Sequence, residues 1–221
     1  MTGADPKPDP KPDPQPDPSL QAAYDLDSPE KVVRLYEAWA ESYDGTFAAA
    51  MDYQLPARVA EAFDRAGGRG PVLDVGAGTG LVGERLAELG FGVVDATDIS
   101  EEMLEVARRK ELYQRVFHGD LMGRLDCPDS AYGGVVSAGT FTHGHVGPEA
   151  LPELLRVARP GAVFALSINA EHYEAKGFGP AFRDLEGQIT ELRLPEVKIY
   201  GQRAKGPHAN DLGRVAVYRK A

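Results

Sequence analysis

The chain has 221 residues, 43% of them hydrophobic, and a formal net charge of -10. That length suits one α/β domain with a large core, and the apolar content excludes a wholly disordered chain. The acidic balance argues against nucleic acid as a substrate; the lack of an apolar run near ~20 residues, of a basic-then-apolar start and of any cysteine besides Cys127 predicts no membrane partner and a cytoplasmic, reducing setting.

Residues 5–18 read DPKPDPKPDPQPDP and hold seven of the 17 prolines. Proline fixes φ and lacks an amide donor, so this stretch predicts an extended spacer. A docking peptide is the alternative, but no hydrophobic anchor interrupts the repeat. Residues 1–27 are therefore set apart as tail and linker, and 28–221 as the folded unit. Ser28-Pro29-Glu30 starts a helix: a capping hydroxyl, proline in the first turn, then an acid at the positive end of the dipole. Val32, Tyr36, Trp39 and Tyr43 follow on one helical face. A second helix is expected over 56–66, with Val59, Ala60 and Phe63 inward and Gly67-Gly68 at its end.

From there the pattern alternates. Strands are expected over 71–75, 91–96, 115–118, 134–138 and 162–168. Helices are expected over 81–89, 101–110 with Ser100 as cap, and 149–158. This alternation predicts parallel βαβ units with right-handed crossovers. Residues 197–201 and 214–219 read as strands with no helix between them, an antiparallel hairpin at the sheet edge.

The strongest signal is Val72-Leu73-Asp74-Val75-Gly76-Ala77-Gly78-Thr79-Gly80, a strand running into three alternating glycines and then a helix. Glycine permits positive φ and lets a ligand lie against the backbone, and the helix start offers free amides. Two cofactor classes use such a loop. Gly78-Thr79-Gly80-Leu81-Val82-Gly83 spells a dinucleotide motif, with Asp98 twenty residues after Gly78 where a ribose acid belongs. Against that reading, Gly76 and Ala77 already separate the strand end from the motif. A pyrophosphate also has no use for Asp74, whereas a ligand bearing an ammonium group does.

These residues resemble the class I S-adenosylmethionine-dependent methyltransferases over about 28–219. The stretches LYEAWAESYDGTF and ELLRVARPGAVFALS with the glycine string look most like the small methyltransferase-like proteins of the Williams–Beuren syndrome region type. The resemblance implies a Rossmann-like α/β fold with a mostly parallel seven-stranded sheet, S-adenosylmethionine as cofactor, and direct in-line methyl transfer. It implies that Asp74 lies beside the methionine end of the cofactor and that Gly76, Gly78 and Gly80 support its methionine and ribose. Asp98 would take the ribose hydroxyls, with Ile99 on the adenine. Asp120 would read adenine N6 beside the Leu121 backbone, and Ala138 and Gly139 would lie near the reactive methyl. Asp98 and Asp120 can also be plain turn caps.

The fourth expected strand leads into Thr140-Phe141-Thr142-His143-Gly144-His145, without the Asn/Asp-Pro-Pro-aromatic signature of many amino-methylating relatives. His143 and His145 are candidates for a general base or for substrate binding, against two exposed loop histidines. A metal site is not expected, because His-x-His supplies only two ligands. Tyr36, Trp39 and Tyr43, the buried face of the first helix, are implied by the family to fold over the cofactor as a lid and so to meet substrate. His172 and Tyr173, after the fifth strand, are further substrate candidates. The acceptor expected is a small molecule. A nicotinamide-dependent oxidoreductase, a non-catalytic cofactor binder and a protein or peptide acceptor are the alternatives.

Overall fold

A computed structural model describes Leu35 and residues 39–142 and 146–221. The tail, most of the first expected helix including Tyr36, and His143 and His145 lie outside the described residues. One sheet holds β1 (Val72–Val75), β2 (Val94–Asp98), β3 (Arg115–His118), β4 (Tyr132–Phe141), β5 (Ala158–Asn169), β6 (Ile189–Arg193), β7 (Glu196–Lys198) and β8 (Leu212–Lys220). Its order is β3-β2-β1-β4-β5-β8-β6, with β7 also on β8. The first five strands are parallel, and β8 runs antiparallel to β5, β6 and β7. β6 and β7 follow one another along the same edge of β8, so eight strands fill seven positions.

The helices follow from their sequences. α1 (Leu55–Arg65) carries a proline in its first turn and buries Leu55, Val59, Ala60 and Phe63 along one face. α2 (Leu81–Glu88) leaves the glycine loop and buries Val82, Gly83 and Leu86. α3 (Glu101–Arg109) is capped by Ser100, whose Oγ accepts from the Met103 amide at 3.2 Å. Acids fill its first turn and arginines its last, as the helix dipole favours. α4 (Leu151–Val157), α5 (Ala170–Ala175) and α6 (Phe178–Asp184) complete the set. A π-helical turn, Tyr43–Ala48, precedes α1.

The sheet departs from expectation in three places. β2 starts at Val94 rather than at 91, because Phe91 still belongs to the end of α2: its amide bonds to the Leu86 carbonyl at 3.0 Å and its ring packs on Phe63. β6, α5 and α6 have no counterpart among the expected elements. The two helices span six and seven residues and are interrupted by Gly177. Such short segments are marginal alone, and burial of Tyr173, Phe178 and Phe182 in the core holds them. The expected antiparallel hairpin is present as β7 on β8, but β6 joins it along the same edge and β8 lies inside the sheet, stacking Tyr218 on Phe164 of β5 with centroids 4.5 Å apart.

Successive strands run outward from β1 to β3, then restart on its other side at β4. The carboxyl ends of β1 and β4 thus diverge at a topological switch point, where open α/β sheets bind ligands.

Candidate active site

One cleft opens at that switch point. Its walls are residues 76–79 with Leu81 and Val82, residues 98–100 with Met103, residues 119–121, residues 138–140 with Val146, and Tyr43, Tyr53 and Pro56. The loop needs its glycines: Gly76, Gly78 and Gly80 have φ of 62°, 55° and 93°. A Cβ on Gly76 would strike the Thr140 hydroxyl, whereas one on Gly78 would point into open space. Gly78 is therefore the point at which a ligand can approach the backbone.

Asp98 faces the loop from the end of β2. Its Oδ2 accepts from the Gly78 amide at 2.8 Å and its Oδ1 from the Ser100 amide at 2.9 Å. The turn-capping bond is thus present, and lone pairs on both oxygens remain for a diol. Burial is the largest influence on this carboxyl and raises its pKa, opposed by those amides. Ile99 and Met103 line the cleft beside it. Asp120, exposed at the rim, accepts from the Met122 amide at 2.8 Å, and Leu121 beneath is buried.

The opposite wall is braced by hydroxyls. Ser137 Oγ donates to the Val75 carbonyl at 2.8 Å, and Thr140 Oγ1 lies 2.9 Å from Ser137 Oγ. Ser167 Oγ accepts from the Gly139 amide at 3.0 Å. These bonds tie the ends of β1, β4 and β5 together and hold Ala138 and Gly139 at the cleft. Gly139 has φ 88°, and a Cβ there would meet the Tyr53 hydroxyl.

Several expected site residues lie elsewhere. Asp74 is fully buried within β1 and does not line the cleft; its Oδ2 accepts from the Tyr113 hydroxyl at 2.7 Å. Burial pushes its carboxyl up to about 7, opposed by the Tyr113 bond and reinforced by the Asp98 charge. Gly80 also lies behind the wall. His172 and Tyr173 are corrected: α5 turns both into the core. His172 Nε2 lies 3.0 Å from the Val146 carbonyl, and Tyr173 stacks on Phe178 with the Arg214 guanidinium over its ring. Trp39 is buried too and packs edge-on against Tyr43, with centroids 5.2 Å apart; of the described residues in the first expected helical face, only Tyr43 lines the cleft. Among the described residues no group of three or more His, Cys, Asp or Glu side chains could hold a metal ion.

Tyr53, Tyr113, Asp44, Ser137 and Ser167 have no counterpart in the motif reading. Asp44 alone carried a local signal, since it follows Tyr43 directly on the expected lid.

The only charged side chains lining the cleft among the described residues are Asp98 and Asp120. That field favours a cationic ligand and opposes a pyrophosphate. Residues 72–161 match the family model described as a methyltransferase domain. The chain is 31% identical over 166 residues to human Methyltransferase-like protein 27, covering 71% of this chain and 67% of that one. It belongs to the class I S-adenosylmethionine-dependent methyltransferases. Its cofactor is S-adenosylmethionine, a sulfonium, and the acid-lined, glycine-walled cleft fits that group.

This methyltransferase is also 30% identical over 172 residues to the malonyl-[acyl-carrier protein] O-methyltransferase of Serratia marcescens, over 76% of its own length and 64% of the relative's. It is 28% identical over 172 residues to the demethylmenaquinone methyltransferase of Renibacterium salmoninarum, over 76% and 69%. A solved TehB-like S-adenosylmethionine-dependent methyltransferase from Corynebacterium glutamicum shares the Rossmann-like fold at TM-score 0.58 and 24% identity, over 84% of this chain and 98% of that one. No helix among the described residues is long and apolar enough to cross a membrane.

Proposed function

We propose that this methyltransferase acts on a small, uncharged acceptor that enters beside Tyr43, Tyr53 and Pro56. The observation that carries this reading is the polarity of the cleft. Its two carboxylates lie with residues 98–100 and 119–121, while among the described residues the wall formed by Tyr43, Tyr53, Pro56, residues 138–140 and Val146 carries no charged side chain. Desolvating a charged acceptor against that wall would be costly without a partner. The relative named for demethylmenaquinone supports an acceptor of low charge, whereas those named for malonyl-[acyl-carrier protein] favour the carrier-bound alternative that the labelling test separates.

The cofactor, when bound, supplies a methyl group already activated by its sulfonium. The protein's task is then to bind, orient and exclude water, and holding the nucleophile about 3 Å from the methyl carbon accounts for most of the acceleration. Asp98 would hold the ribose hydroxyls with the lone pairs left by the Gly78 and Ser100 amides. Ile99 and Met103 would flank the adenine, and Asp120 with the Leu121 backbone would read its edge. Gly76 and Gly78 would carry the methionine portion, and Ala138 and Gly139 would lie by the methyl. Tyr43 and Tyr53 would close the acceptor side. His143 or His145 would take a proton where the nucleophile must lose one.

The test uses S-adenosylmethionine labelled in its methyl group and a cell extract split into a filtrate of small molecules and a retained macromolecular fraction. Label is expected in solvent-extractable products of the filtrate. Label confined to retained protein would replace this reading with a protein or carrier-bound acceptor.

A further inference from the structure

We infer that Tyr113, on the segment between α3 and β3, positions the glycine loop for the cofactor by joining the loop's two ends through one phenol. The loop leaves β1 after Val75 and enters α2 at Leu81. Below it, the Tyr113 hydroxyl donates to Asp74 Oδ2 of β1 at 2.7 Å. Gly83, in the first turn of α2, lies against the same phenol, and the hydroxyl oxygen is the atom nearest to a Cβ placed there. The ring lies against Gly80 and Gly83: a Cβ on either would meet Tyr113 atoms first, and at Gly83 all three nearest atoms belong to it.

This arrangement assigns the glycines separately. Gly76 and Gly78 face the cleft wall and its opening, while Gly80 and Gly83 make room for the tyrosine. Two of the three glycines in the apparent dinucleotide spelling, Gly80 and Gly83, are therefore accounted for from inside the protein. Asp74 is a fully buried carboxyl whose Oδ1 has no hydrogen-bond partner among the described residues. A buried carboxyl with one donor and no adjacent cation is costly, and its position under the loop is explained if its work is to anchor Tyr113. Tyr113 touches no cleft ligand position, so it acts through the loop as a positioning residue.

The inference rests on the cofactor assignment, and its test separates the two. Binding of S-adenosylhomocysteine is measured by calorimetry for the wild type, Tyr113→Phe, Gly83→Ala, Tyr113→Ala and the Gly83→Ala/Tyr113→Ala double variant, alongside melting temperatures and amide exchange. Tyr113→Phe keeps the ring and the fold, so its Kd is expected to rise about tenfold with faster exchange confined to amides 76–83. Gly83→Ala is expected to weaken binding strongly in the wild-type background and little in the Tyr113→Ala background, where the ring no longer obstructs it. A Tyr113→Phe variant that binds like the wild type, with unchanged loop exchange, overturns the positioning role. Equal cost of Gly83→Ala in both backgrounds does the same. A wild type that binds no S-adenosylhomocysteine would instead overturn the cofactor assignment, and this role with it.

Discussion

Thr79 of the glycine loop donates its hydroxyl to Asp44 Oδ1 at 2.5 Å, joining two residues 35 positions apart. The other oxygen of Asp44 meets Lys110 Nζ at 2.6 Å, and Lys110 also pairs with Glu84 at 2.7 Å. The π-helical turn that presents Tyr43 to the cleft is thereby fastened to the loop, to the end of α3 and to α2.

Breaking that junction should loosen the cover more than the fold. Asp44 and Lys110 keep 36% and 18% of their side-chain surface exposed, so the ion pair is screened and adds little stability. Asp44→Asn should raise the S-adenosylhomocysteine Kd by about fivefold, about 1 kcal/mol, chiefly through faster dissociation. Stopped-flow displacement checks this; a dissociation rate equal to that of the wild type would show that the junction does not hold the cover.

Asp98→Ala removes an acceptor from the Gly78 and Ser100 amides and from the proposed ribose contact. Hydrogen bonds to a charged group are worth about 1.5–3 kcal/mol, so cofactor affinity should fall by roughly ten- to a hundredfold. Titration against S-adenosylhomocysteine measures it, and an undiminished affinity would place the ribose elsewhere.

Asp74 makes stability depend on pH. Its folded pKa is raised from 3.8 to about 7. The protonated carboxyl is thus favoured by folding, so its contribution is fully present below about pH 4 and is lost as pH rises through 7. At about 1.4 kcal/mol per unit the swing is at most a few kcal/mol. Asp74→Asn keeps an acceptor for Tyr113 and cannot ionise. It should therefore gain stability over the wild type between pH 5 and pH 8.5 in denaturant titrations. Parallel pH profiles for the two proteins would mean that Asp74 carries no charge burden.

The histidines are tested through turnover. Once an acceptor is in hand, His143→Ala or His145→Ala should lower kcat by roughly a hundredfold if the nucleophile must lose a proton, with cofactor affinity unchanged. Weakened cofactor binding without a specific loss of turnover would make the histidine pair structural.

The parts of this protein readable in order along the chain depend on neighbours a few residues away. Alternating glycines permit the left-handed path that the loop takes, Ser100 caps α3 from three residues before Met103, and Pro56 sits in the first turn of α1. The strand–helix alternation carries the parallel sheet for the same reason, since burial of both faces leaves continuous apolar runs. Tertiary structure alone decided which side chains share the site. Tyr113 reaches Asp74 across 39 residues, and Ser137 reaches the Val75 carbonyl across 62. Neither spacing has a periodic signature, because the sheet order and not the chain sets the distance. His172 and Tyr173 illustrate the converse. They follow β5 at a strand end where ligand residues gather, but the aromatic cluster with Phe178 and Phe182 draws α5 onto the core. Burying those rings is worth more than exposing them at the cleft, about 25 cal/mol for each Å² of apolar surface removed from water.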